Sequence, residues 1–391
     1  MYGTTTINAL RAAGARTCLS AGSAAGRQQR WLATSPALRS ANIITFSESV
    51  SSPELRELLD TFREKLVLPS YLPSEQRRKI YNPDLKHILQ NDPVTLEIDG
   101  VVHKFRHVDR MTLPNTNALI AKVLRALDAP ADLQNLPPLL EGCKLASRKI
   151  SENFFPAMTR RAAQLGNINV ILDMVKTADR TGFKLNCSER IDELMVWIQH
   201  DAITSGWDKA KTERALKRTQ LVLNLLEADK VHWPKKPCAG AFPFHRDPQF
   251  LAARLHMAAA LAVHHHDGKD VNGKVTKFAD ELVQLWPEGK GLLDLQPDQS
   301  FRSKSRMSYY INRGRYLLSA SPILNGLSLA AQVVDPGLAM QLQNRADAVE
   351  AEVKVALAKP AERESMGQKV YNQLFNPQAE AEHGEEATEA E

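Results

Sequence analysis

The chain has 391 residues, of which 43% are hydrophobic, 6% aromatic and 24% charged, with a formal net charge of +5. That length is ample for a sizeable core, and no apolar run approaches the ~20 residues needed to cross a bilayer, so no membrane span is expected. Cys18, Cys143, Cys187 and Cys238 are scattered without a CxxC pair, which argues against a disulfide framework or a zinc site and fits a reducing compartment.

Charge is unevenly placed along the chain. Residues 1–32 carry Arg11, Arg16, Arg27 and Arg30 and no acid (+4), residues 376–391 carry six glutamates and no Lys or Arg (−6), and +7 remains for 33–375. A mildly basic body suits contact with a polyanion. The opening is rich in Arg, Ser, Thr and Ala, with no Asp or Glu before Glu48. Such an amphipathic, acid-free start predicts a mitochondrial transit peptide over 1–32 and a mitochondrial matrix location.

A linker over 33–50 leads into an N-terminal helical segment, 51–149. Ser52 is placed to cap a helix with Pro53 at its first position, and Leu55, Leu58, Leu59, Phe62 and Leu66 form one stripe. Shorter helices punctuated by Pro73 and Pro83 follow, with the basic triplet Arg77, Arg78 and Lys79. Two alternating runs around Asp99-Gly100 predict the one β-hairpin, over 94–106. A lone hairpin is marginal, so this one needs neighbouring helices or a partner to pack on.

From 150 to 290 the pattern becomes pairs of helices. Phe155, Met158, Ala162 and Leu165 precede a corner at Gly166, and Ile168, Ile171, Leu172 and Val175 follow it. A second pair turns at Gly206, forty residues on, within the ~20–50-residue periods of helical solenoids. A third turns at the polar stretch after His264, His265 and His266. The C-terminal helical segment, 300–375, is expected to hold further pairs around 307–318 and 322–334 and a long charged helix from about 338 to Pro360. The tail, 376–391, has the composition of a disordered acidic segment. The fold class expected is mainly α: an α-solenoid of irregular helical pairs with one β-hairpin.

The stretch from Asn153 to Asn186, "NFFPAMTRRAAQLGNINVILDMVKTADRTGFKLN", resembles a pentatricopeptide repeat. It has Phe155 early in the first helix, the Leu165-Gly166 corner, and a closing "DRTGFKLN". The resemblance covers about one repeat well and the next two pairs weakly. It implies an organellar α-solenoid that binds single-stranded RNA, one base per repeat. Asn186 fits one base-reading position, but the other is Pro156, which has no donor or acceptor side chain. A degenerate repeat built into a larger assembly is therefore expected. The whole organisation is similar to that of accessory proteins of fungal mitochondrial ribosomes.

The strongest basic and aromatic cluster lies at 301–316. Arg302, Lys304, Arg306, Arg313 and Arg315 interleave with Tyr309, Tyr310 and Tyr316, and no acid occurs between Asp298 and Asp335. Guanidinium groups pair bidentately with phosphates, and tyrosines stack on unpaired bases. These eight residues, with Arg77, Arg78 and Lys79, are the expected RNA-binding set. The run ending the hairpin through Arg110, and Lys211 to Arg218, are weaker patches of the same kind. His264, His265 and His266 are consecutive and cannot converge from a helix, so no metal and no cofactor is expected. No P-loop, dinucleotide, serine-hydrolase or zinc-protease motif occurs, so no enzyme activity and no small-molecule substrate are expected.

These features together predict a structural, RNA-binding component or close accessory of the mitochondrial ribosome, leaning to the small subunit, with ribosomal RNA and ribosomal proteins as partners. Two alternatives remain. One is a factor for maturation or translational activation of a particular mitochondrial mRNA; the other is an assembly chaperone for a respiratory complex.

Overall fold

A computed structural model describes residues 43–98, 101–234, 240–302, 307–360 and 363–376. The expected transit peptide, residues 33–42 of the linker, the tail beyond Asn376, the hairpin turn Asp99-Gly100, and Lys304 and Arg306 lie outside the described residues. The chain is tied down where the linker meets the helical segment. The amides of Ser51, Asp128 and Ala129 and the Ser51 hydroxyl all donate to the Asp132 carboxylate, and the Ser47 amide donates to Asn135 Oδ1.

Helix α1, Pro53–Phe62, starts where its cap predicts: the Ser52 hydroxyl accepts from the Leu55 amide at 3.2 Å, and Leu55, Leu59 and Phe62 are buried. The chain continues through a π-type turn and a 3-10 turn into α2, Ser74–Ile80, and then α3, Lys86–Asn91. Strands β1, Val94–Ile98, and β2, Val101–Phe105, pair antiparallel, with Val94 opposite Phe105. The hairpin docks internally. Phe105, Val94 and Leu96 pack with Leu68, Leu72 and Ile80 in a small core of their own. Helices α4, Thr116–Ala126, and α5, Leu136–Leu145, complete this part.

The first expected pair is α6, Phe154–Gln164, and α7, Asn169–Lys176, closed by the short α8, Ala178–Thr181. The second is α9, Ser188–Thr204, and α10, Lys209–Ala228; the third is α11, Pro248–His265, and α12, Lys274–Leu285. Gly166 and Gly206 turn the first two corners at φ of 73° and 63°, the left-handed region glycine enters without Cβ strain.

Beyond α13, Asp298–Arg302, the arrangement departs from the expectation. The pairs anticipated around 307–318 and 322–334 are instead a 3-10 turn and one continuous helix, α14, Arg313–Ala331, which carries Pro322 inside it. The long charged helix is α15, Pro336–Ala358, and α16, Met366–Phe375, closes the described chain. Helix α14 packs against α9, α11, α15 and α16, and α16 returns to touch α9. A linear array places each unit only against its sequence neighbours; here the last helices fold back on the second pair. Helices α9, α11 and α14 are consequently buried around nearly their whole circumference; α11 and α14 are largely apolar on every side, while α9 also buries Arg190, Asp192, Glu193 and Gln199.

Candidate nucleic-acid interface

The basic and tyrosine-rich segment divides into an inner and an outer part. Tyr309, Tyr310 and Tyr316 are only 8%, 4% and 3% exposed. Their rings meet edge to face, with centroids 4.7 Å apart for Tyr309 and Tyr310 and 5.5 Å for Tyr310 and Tyr316. The Tyr309 hydroxyl bonds the Ser188 hydroxyl at 2.9 Å and accepts from Gln249 Nε2 at 3.2 Å, while Tyr316 donates to Glu352 at 2.6 Å. Rings enclosed in this way have no face for a nucleobase. The expectation that they stack on RNA is therefore corrected: they are core residues that join α14 to α9, α11 and α15.

The arginines follow the same division. Arg315 is committed to two carboxylates, Glu189 at 3.3 Å and the fully buried Glu193. Arg313 is half-buried and donates to Leu357 O and Gln368 Oε1. Both serve the interior. Arg302, at the end of α13, is exposed.

This interior polar cluster is built from the N-terminal turns of α9, α11 and α14. Asp192 accepts from Ser319 Oγ at 2.7 Å and Gln249 Nε2 at 2.8 Å, and Asp247 accepts from Gln296 Nε2 at 2.7 Å. Burial pushes both carboxyl groups up to about 7, against the opposing hydrogen bonds. Glu193 also takes Arg160 Nε at 3.1 Å and Trp197 Nε1 at 2.7 Å. Asp192, Glu193, Asp247, Gln249 and Tyr309 are buried, and the cluster reaches the surface only through Arg160, Glu189 and Arg315. The histidine run diverges as its spacing requires. His264 stacks on Trp207 with centroids 5.1 Å apart, and His265 Nε2 donates to Trp207 O at 2.6 Å.

The N-terminal part holds a different kind of site. Arg77, Arg110 and Arg148 line a recess of about 440 Å³ with Leu66, Pro69, Ser70, Tyr81, Leu113, Pro114 and Ala146. No carboxylate lines it. The Arg110 guanidinium carbon lies 5.6 Å from the Tyr81 ring centroid. Burial raises the Tyr81 phenol, and the positive charges of Arg148, Arg77 and Arg110 oppose that rise. Arg78 and Lys79 are exposed on α2 beside it, and Lys104 and Arg106 are exposed at the end of the hairpin.

Of the expected RNA-binding residues, the structure thus separates the α2 triplet from the 301–316 segment. Arg77 joins Arg110 and Arg148, two residues sequence reasoning did not group with it. Arg110 stood in a weak basic run; Arg148 carried no signal, because the chain brings it there by the turn after α5, where Ser147 takes φ of 52°.

Residues 30–373 match the family described as mitochondrial ribosomal protein mS27 (Mrp13). The chain is also similar to the small ribosomal subunit protein mS27 of Neurospora crassa, with 38% identity over 395 residues that cover 96% of this chain and 99% of the relative. Both matches span the recess and the buried joint.

Proposed function

The chain belongs to the family of mitochondrial ribosomal protein mS27, and from that premise we propose that it is a structural component of the small subunit of the mitochondrial ribosome. The observation that carries this is similarity along nearly the whole of both chains to a small-subunit protein. A ribosomal role is a matter of shape and charge, without catalysis. The helical body gives a firm scaffold because α9, α11 and α14 are joined both by apolar packing and by a bonded polar cluster. Its partners in this account are ribosomal RNA and neighbouring ribosomal proteins.

The cations we assign to RNA phosphates are Arg77, Arg78 and Lys79 on α2 and Arg302, with Lys304 and Arg306 after it in the chain. Long cationic side chains position an RNA backbone without reading its sequence, and of these Arg78, Lys79 and Arg302 are exposed. The repeat-like pair α6–α7 supports a building role in the same way, since Pro156, one of its two base-reading positions, is buried and has no polar side-chain atom. The acid-free opening supports import into the matrix, and the acidic tail supports a segment held off RNA by like charge.

Depletion of the protein in cells tests the proposal. Pulse labelling of mitochondrially made polypeptides should fall for all products together, with loss of assembled small subunits. Loss of one product alone, with small subunits intact, contradicts it.

A further inference from the structure

We propose that the recess between α2, the turn after the hairpin and the end of α5 is a seat for a backbone phosphate of ribosomal RNA, held by Arg77, Arg110 and Arg148. This rests on the ribosomal reading and names the site within it. Three arginines line one concavity, and no carboxylate is among the described residues that line it. Among the described residues none of the three takes part in an ion pair, whereas Arg160, Arg161, Arg180, Arg190, Arg218, Arg254 and Arg315 each do. Unpaired like charges gathered on one spot repel each other, and an anion at that spot removes the repulsion. The fork geometry of guanidinium matches phosphate oxygens bidentately.

The volume, about 440 Å³, lies within the ~300–1,000 Å³ range of small-ligand clefts. It leaves room for the sugar flanking the phosphate against Leu66, Pro69, Leu113 and Pro114. Tyr81, already beneath the Arg110 guanidinium, forms the floor. A polymer is the favoured partner because further exposed cations, Arg78 and Lys79 on α2 and Lys104 and Arg106 at the hairpin's end, lie on the two segments that the Val108 N–H to Ile80 O bond holds together. One anionic side chain of a protein would satisfy the recess but leave those further cations without a partner.

The test uses the full chain and the small-subunit ribosomal RNA transcribed from the same organism's mitochondrial genome. Filter binding is measured across a salt series for the wild type, for the triple variant Arg77→Ala, Arg110→Ala, Arg148→Ala, and for Arg110→Glu alone. Removing these side chains strands no buried carboxylate, and a thermal melt matching the wild type verifies folding. A control triple, Lys269→Ala, Lys274→Ala, Lys277→Ala, removes equal charge from exposed positions before and at the start of α12, outside every basic patch named above. The recess triple should bind at least about tenfold more weakly, with the slope of log affinity on log salt reduced by about 1–3. The control should change affinity less than about threefold. Equal losses in the two triples, or no loss in the recess triple, overturn the recess assignment. Sedimentation of the same tagged variants in mitochondrial lysates keeps the two claims apart. Wild-type protein that migrates with small subunits but shows no recess-dependent RNA binding removes the recess and leaves the ribosomal reading standing. Wild-type protein absent from small subunits removes both.

Discussion

Gly326 lies so close to His256 that a β-carbon on the glycine would stand 2.6 Å from the His256 Cβ and 2.9 Å from its Cα. Helices α11 and α14 approach backbone to backbone at this point, and α14 is the helix on which α9, α11, α15 and α16 all rest. Gly326→Ala therefore forces two packed helices apart. Overpacking costs about 1–3 kcal/mol, while the better helix propensity of Ala returns up to ~1 kcal/mol. Because the His256 Cα is backbone and cannot swing aside, the cost falls at the upper end of that range, and the variant is expected to lose about 2 kcal/mol net in urea denaturation. An unchanged or raised midpoint contradicts the close approach.

Arg315 is expected to behave as an interior residue. Its partner Glu193 is fully buried and retains Arg160 and Trp197 when Arg315 is removed. Breaking a buried pair from one side costs about 3–5 kcal/mol when the remaining charge is uncompensated. With Arg160 still bound, Arg315→Ala should fall at or just below the lower end of that range. A surface arginine reserved for RNA would cost no more than about 0.5 kcal/mol. Denaturation of this single variant distinguishes the two roles.

The joint also predicts a pH signature. Burial raises Asp192 and Asp247 to about 7, with Arg315, Glu193 and Tyr309 also acting around the pair. The unfolded value is about 3.9. Such a raised group contributes stability that is complete below the unfolded pKa and is lost as pH rises through about 7. His256, which burial pushes down to about 3, works in the opposite sense and is lost towards acid. The informative quantity is thus the difference between Asp192→Asn and wild type. Because Asn remains neutral, the variant's stability relative to wild type should improve between pH 5 and pH 8 by roughly 1 kcal/mol or more. A difference constant across that window contradicts the raised carboxyl.

Much of the fold was legible where one local rule decides it. Ser52 with Pro53 marks a helix start, Asp99-Gly100 marks a hairpin, and Gly166 and Gly206 mark corners that the backbone does make in the left-handed region. Helix α14 was not legible. Buried on every side, it has no amphipathic period to detect, and Pro322 within it imitates a break. The tyrosines misled for a related reason. Arg and Tyr alternate in the same way on an RNA-binding face and in a segment that enters the core, and the outcome depends on Ser188, Gln249 and Glu352, which lie 121, 60 and 36 residues away in sequence. The recess was half legible: Arg77 stood in a basic triplet, but its convergence with Arg110 and Arg148 is a property of the folded chain.

The most direct measurement is a sucrose-gradient profile of the tagged full-length protein from lysed mitochondria, with and without RNase. Membership of the small subunit predicts that it migrates with small-subunit particles in a constant ratio to their other proteins and moves to the top of the gradient once RNase dismantles them. Migration as a free protein, or with a respiratory complex insensitive to RNase, contradicts the account.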